Sequence, residues 1–162
     1  MPQTREAVIV EYVRSAFSRS RPREPEKDVF NGLRMDAVAG TLIKELIKRT
    51  KVKPEEINDV LVGTAFPVSE QWVYGGRSVV FQAELPFEVP AEQIDRQCGS
   101  SMSTVHTGAM EIMLGYSDIV ISCGIEHMTH IPMATPPTDP RSILRQPDAA
   151  FITYFLIYVN AY

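Results

Sequence analysis

Cys98 stands at an abrupt change of local pattern. The extended, partly apolar stretch IDRQ runs into Cys98-Gly99-Ser100-Ser101, and a helix-like run, MSTVHTGAMEIML, follows at once. A helix that begins at or just after Cys98 leaves its first N–H groups unpaired and turns its positive end toward the sulfur, which stabilises a thiolate. A thiolate placed there can attack a carbonyl or thioester carbon. Gly99 keeps bulk away from the sulfur, and Ser100 and Ser101 are small. A plainer alternative stays open, because free cysteine is among the most buried residue types and Cys98 could serve as core packing.

Other residue types that can do chemistry are few. Cys123 ends a short, nearly continuous apolar run, DIVISCG, and reads as a core residue; a disulfide to Cys98 would need geometry that spacing does not show. Cys123, His127 and His130 lie together in CGIEHMTH, a spacing that invites zinc, but no companion Cys or His pair follows to complete a tetrahedral set, so no metal is expected. His106 falls eight residues beyond Cys98, about 12 Å along a helix axis. It reads as an interior or interface histidine rather than a partner base. The glycines of GTAFP and YGGRS lack the spacing of a dinucleotide fingerprint or a phosphate loop, so no bound cofactor is expected.

The elements that must position Cys98 follow from periodicity. AVIVEYV at 7–13 predicts a short buried strand, and the arginine-rich segment after it predicts a solvated loop. Between Met35 and Arg49, Val38, Leu42, Ile43, Leu46 and Ile47 recur at three- and four-residue spacing, the pattern of an amphipathic helix. KVKPEEINDVLVG predicts a turn opened by Pro54 and then a strand closed by Gly63. A second helix is expected in YGGRSVVFQAEL, and an extended segment in VPAEQIDRQ. The helix after Cys98 shows an apolar stripe of Met102, Val105, Ala109, Ile112 and Met113, and residues 118–124 predict a fully buried strand. Strand and helix thus alternate three times and a strand is added. That rhythm predicts an α/β fold: a mixed, mostly parallel sheet with helices on both faces.

Residues 1–128 form the predicted α/β domain. Residues 129–162 differ in character: THIPMATPPTDPRSILRQPD is rich in proline and reads as an excursion, and the tail AAFITYFLIYVNAY is β-branched and aromatic, better suited to a strand than to a bilayer span. An exposed strand of that kind would invite aggregation, so a cover is expected for it.

Composition narrows the function classes. The 162 residues are 44% hydrophobic and 22% charged, with a net charge of -4. These values fit a globular domain and give no broad basic field for nucleic acid or anionic lipid. No stretch marks a membrane span or a signal peptide, and two cysteines without a secretion signal predict free thiols in a cytoplasmic protein.

The segments EAVIVEYVRSAF, VKPEEINDVLVGTAFP, YGGRSVVFQAELPFEVPAEQIDRQCGSSM and GYSDIVISCGIEHMTHIPM, taken in order over residues 6–133, resemble the thiolase family, acetyl-CoA C-acetyltransferases of the archaeal type in particular. The most specific element is RQCGSSM followed, one helix and one strand later, by CGIEHM. The resemblance implies the N-terminal half of a thiolase, with Cys98 as the acyl-accepting nucleophile and its own N–H in an oxyanion hole. It implies a coenzyme A thioester as substrate, no further cofactor, and Claisen condensation of acetyl-CoA or CoA thiolysis of a 3-oxoacyl-CoA. It also implies a homodimer or higher oligomer formed through the edge of this half. The family's second half carries an activating histidine in a GHP motif, an NEAF-like asparagine segment and a second cysteine in a CxG motif, none of which occurs here. A separate C-terminal half is therefore an expected partner, with the present chain a truncated product, a fragment or one subunit of a split enzyme. Two other readings stay open: a non-catalytic scaffold subunit, and another cysteine-dependent condensing enzyme such as a 3-ketoacyl synthase or hydroxymethylglutaryl-CoA synthase.

Overall fold

A computed structural model describes residues 4–72 and 74–133 and the backbone of 156–161. The elements run β1 (Ala7–Val13), α1 (Met35–Thr50), β2 (Asp59–Gly63), α2 (Arg77–Gln82), β3 (Ala91–Ile94), α3 (Ser100–Leu114), β4 (Ile119–Gly124) and β5 (Leu156–Ala161). They build one five-stranded sheet in the order β1-β5-β4-β2-β3. Strand β2 pairs in parallel with β3 and with β4, while β5 runs antiparallel between β4 and β1. The sheet is mixed and mostly parallel, as expected.

Alternation along the two central strands divides the core between two faces. Val60, Val62, Ile121 and Cys123 lie in one cluster with Ile43 and Leu46 of α1 and Val79 and Val80 of α2. Leu61 and Val120 point the other way and meet Ile112 of α3. Helices therefore cover both faces. Burying side chains of this size contributes about 1.5–3 kcal/mol each, so this double-sided contact is what fixes the register of β2 and β4.

Two local expectations are corrected. Strand β1 was expected to be buried, but Ile9, Val10 and Tyr12 are exposed and only Val13 at its end is buried. It is an edge strand that α1 and α3 reach, through Val13 and Ala7, without covering Ile9, Val10 and Tyr12. The apolar stripe expected on α3 is its buried face only in part: Ile112 is buried and Val105 and Ala109 are half-buried, but the rest of the buried face is small and polar. Ser100, Ser103, Thr104, Gly108 and Ile112 are buried, whereas Met102 and Met113 are exposed. Helix α3 lies so close to β4 that a Cβ on Gly108 would come within 3.0 Å of Val120 Cγ1 and 3.1 Å of Ser122 Oγ. Small residues are needed there, and the Ser122 hydroxyl donates to the Thr104 carbonyl at 3.0 Å.

The apolar tail supplies a strand, β5, whose backbone is paired on both sides rather than left as an edge. Most of the proline-rich stretch and the start of the tail lie outside the described residues. Among the described residues no helix is long and apolar enough to cross a membrane.

Candidate functional site around Cys98

The sequence places Cys98 in a tight turn between β3 and α3. The Gly99 N–H donates to the Arg96 carbonyl and the Ser100 N–H to the Gln97 carbonyl, each at 3.0 Å. Closing this turn puts Gln97 at φ 51°, a left-handed conformation that is uncommon for a residue with a side chain. Gly99 is the N-cap of α3 and has no side chain to accept from the first-turn N–H groups. Cys98 itself is exposed. It is not core packing.

Helix α3 is seated on the ends of the two central strands. Gly63 and Gly124 are register partners at the C-terminal ends of β2 and β4. A Cβ at Gly63 would stand 2.7 Å from the Ser100 carbonyl carbon and the Ser101 nitrogen, and one at Gly124 would stand 2.0 Å from Ser101 Oγ. The two glycines make a notch that receives the first turn of the helix. The sequence marks Gly63 as a strand end, and only the parallel register of β2 with β4 sets it beside Gly124. The available signal is that both buried strands end on glycine.

The chain that leaves β2 holds the Cys98 turn from below. The Ser100 hydroxyl accepts the Arg96 N–H at 2.8 Å and lies 3.0 Å from the Thr64 carbonyl and 2.6 Å from the Gln97 carbonyl. Gln97 Nε2 donates to the Ala65 carbonyl at 3.4 Å, and the Thr64 N–H to the Ile94 carbonyl at 3.2 Å. On its far side the same segment meets Glu126. The Ala65 N–H donates to Glu126 Oε2 at 2.8 Å, the Thr64 hydroxyl to the same oxygen at 3.3 Å, and Gln71 Nε2 to Glu126 Oε1 at 2.5 Å. Burial raises the Glu126 carboxyl above the ordinary glutamate range, against these hydrogen bonds, which favour the carboxylate. Neither Glu126 nor Gln71 was singled out from the sequence.

The remaining candidates are engaged elsewhere. Cys123 is buried, and burial pushes its thiol up to about 12, so it stays protonated at neutral pH. Both cysteines are free. The His127 and His130 rings stack with centroids 3.7 Å apart. His127 Nε2 meets the Phe30 carbonyl at 3.1 Å, and His130 meets Glu70 Oε1 at 2.6 Å and the Asn31 carbonyl at 2.8 Å. Their nitrogens tie three loops together, and among the described residues no group of three His, Cys, Asp or Glu could hold a metal ion. His106 is exposed on the face of α3 turned from the sheet, so it is not an interior histidine.

The sequence profile described as thiolase, N-terminal domain, matches residues 7–157. The chain is 37% identical over 132 residues to the 3-ketoacyl-CoA thiolase of Saccharophagus degradans, covering 81% of this chain and 32% of that protein. It is 36% identical over 129 residues to the 3-ketoacyl-CoA thiolase of Acinetobacter baylyi, covering 80% and 32%. The crystal structure of the Bacillus anthracis acetyl-CoA acetyltransferase superposes with a TM-score of 0.72 at 24% identity, over 94% of this chain and 36% of that one, a likeness of fold. The chain spans about a third of the length of the curated relatives it matches.

Proposed function

For this chain, which belongs to the thiolase family through its N-terminal domain, we propose acyl transfer through Cys98. The single observation that carries the proposal is the exposed sulfur on a tight turn at the start of α3. The Cys98 thiolate attacks the carbonyl carbon of an acyl-CoA, the bond from that carbon to the CoA sulfur breaks, and CoA leaves as a thiolate that takes up a proton. In the condensing direction a base removes an α-proton from a second acetyl-CoA. The resulting carbanion attacks the acyl carbon, and the Cys98 sulfur leaves. In the reverse direction CoA cleaves a 3-oxoacyl-CoA. Each attack develops an oxyanion, and the proposed donor to it is the backbone N–H of Cys98 itself, since the Gly99 and Ser100 N–H groups are engaged in the turn.

Full turnover also needs a base for the α-proton and for CoA. The three histidines of this sequence do not supply it, since two are tied into loops and the third lies two turns along α3. A C-terminal thiolase half is the proposed source. Strand β3, which among the described residues pairs only with β2, is the proposed edge for association with a second copy. Two free thiols fit a cytoplasmic setting.

The test is thiolysis of acetoacetyl-CoA by the chain alone and by the chain co-expressed with the C-terminal portion of a related thiolase. Turnover should appear only in the assembly and should vanish with Cys98→Ser. An assembly in which Cys98→Ser matches the parent would overturn the mechanism.

A further inference from the structure

The Cys98 turn rests on Thr64 and Ala65, and these rest on Glu126. Both carboxylate oxygens of Glu126 act as acceptors, Oε2 for the Ala65 N–H and Oε1 for Gln71 Nε2. Gln71 cannot rotate its amide to serve a different neighbour. Its Oε1 accepts the His127 N–H, and its Nε2 also reaches the Phe66 carbonyl at 3.0 Å. The Gln71 side chain is buried and its backbone carbonyl is held in turn by Gln93 Nε2 at 2.6 Å. Glu126 and Gln71 are thus a matched acceptor and donor, and they fasten the exits of β2 and β4 to one another.

On the other side of Thr64 and Ala65, their carbonyls face Ser100 Oγ and Gln97 Nε2, the residues on either side of Cys98-Gly99. Resting on the reading of Cys98 as nucleophile, we propose that Glu126 is a positioning residue: it fixes the Thr64–Ala65 backbone and, through it, the turn that presents the sulfur. The physical requirement is two acceptors on one rigid side chain. A carboxamide offers only one, and its amino group would face a donor, either Ala65 N–H or Gln71 Nε2. Reactive-group placement is sensitive at this scale, since a shift of about 1 Å can cost about 100-fold in rate.

The experiment compares the 162-residue chain, Glu126→Gln, and the exchanged pair Glu126→Gln with Gln71→Glu, by residue-resolved amide hydrogen exchange and by the rate of Cys98 acetylation from acetyl-CoA. In the single variant the amides of Gly99 and Ser100 should exchange at least tenfold faster. Those of Leu61 and Ile121 in the central strands should stay as they are. Acetylation of Cys98 should fall at least tenfold, and the exchanged pair should recover part of both losses, since it restores the match between positions 126 and 71 but gives up the bond to the Phe66 carbonyl. Unchanged Gly99 and Ser100 amides would overturn the proposal, as would equal acceleration in turn and core, which is a loss of general stability. If the single variant does not fold, a folded exchanged pair with slow turn amides supports the matched pair and one with fast turn amides overturns it. If neither folds, Glu126→Asp takes their place, where faster turn amides with unchanged core amides support the proposal and unchanged turn amides overturn it. A parent chain that takes up no acetyl group would count against Cys98 as nucleophile, while the exchange rates would still decide the role of Glu126.

Discussion

Replacing Gly63 by alanine tests whether the nucleophile's helix is seated as described. The new Cβ would lie 2.7 Å from two backbone atoms of Ser100 and Ser101, while an ordinary contact begins at 3.4 Å. The first turn of α3 must therefore retreat by about 0.7 Å, and backbone cannot swing aside as a side chain end would. Gly63 has no positive φ, so the cost is one of crowding and not of backbone conformation. Overpacking of this kind costs about 1–3 kcal/mol, and in a domain of this size each kcal/mol lowers the melting temperature by about 2–4 °C. The same retreat moves the Cys98 turn, so acylation should slow by about 10- to 100-fold. Gly32→Ala is the control, since a Cβ there meets nothing within 4 Å and should change stability by less than about 0.5 kcal/mol. Thermal unfolding and acetylation kinetics read both effects. A Gly63→Ala chain that melts and acylates like the parent would refute the close seating of α3 on β2.

Gly99→Ala tests access beside the sulfur: its Cβ would meet only Arg96, at 3.4 Å or beyond, so the stability cost should be that of alanine at an N-cap, about 1 kcal/mol or less, while acylation by thioesters slows; an unchanged rate would show that the space beside the sulfur is unused. Cys123→Ser places a hydroxyl in the core and should cost about 1–3 kcal/mol while leaving Cys98 reactive, and iodoacetamide at neutral pH should label Cys98 and spare Cys123, as peptide mapping would show. Asp59 is raised above the ordinary aspartate range by burial, with Glu92 adding to it. The folded state then binds the proton more tightly than the unfolded one, so this group costs stability as pH rises from the unfolded value through the raised one. Asp59→Asn should therefore gain stability relative to the parent at pH 7 and lose that advantage at low pH; urea unfolding with the opposite trend would show that Asp59 is stabilised as the carboxylate.

Much of the architecture is legible in the residues. Helix α1 is written in the three- and four-residue spacing of Val38, Leu42, Leu46 and their neighbours, and β2 and β4 in short apolar runs that end on glycine. What misleads is the assumption that apolar residues mark the buried side. Along the first turns of α3 the distance to β4 admits Ser103, Thr104 and Gly108, a large apolar side chain is buried only farther on at Ile112, and Met102 and Met113 are left outside. Packing distance is set by the partner element, so it cannot be read from the helix alone. The turn at Cys98 was visible as a pattern break, but its support was not. Gln71 and Glu126 are 55 residues apart, and only the parallel pairing of β2 with β4 brings their loops together.

The most direct measurement is intact mass after the folded chain is incubated with acetyl-CoA, followed by peptide mapping of any adduct. The account predicts one acetyl group, carried on the peptide that contains Cys98 and absent from Cys98→Ser. An acetyl group found elsewhere, or a folded chain whose Cys98 is alkylated by iodoacetamide yet takes no acetyl group, would contradict it.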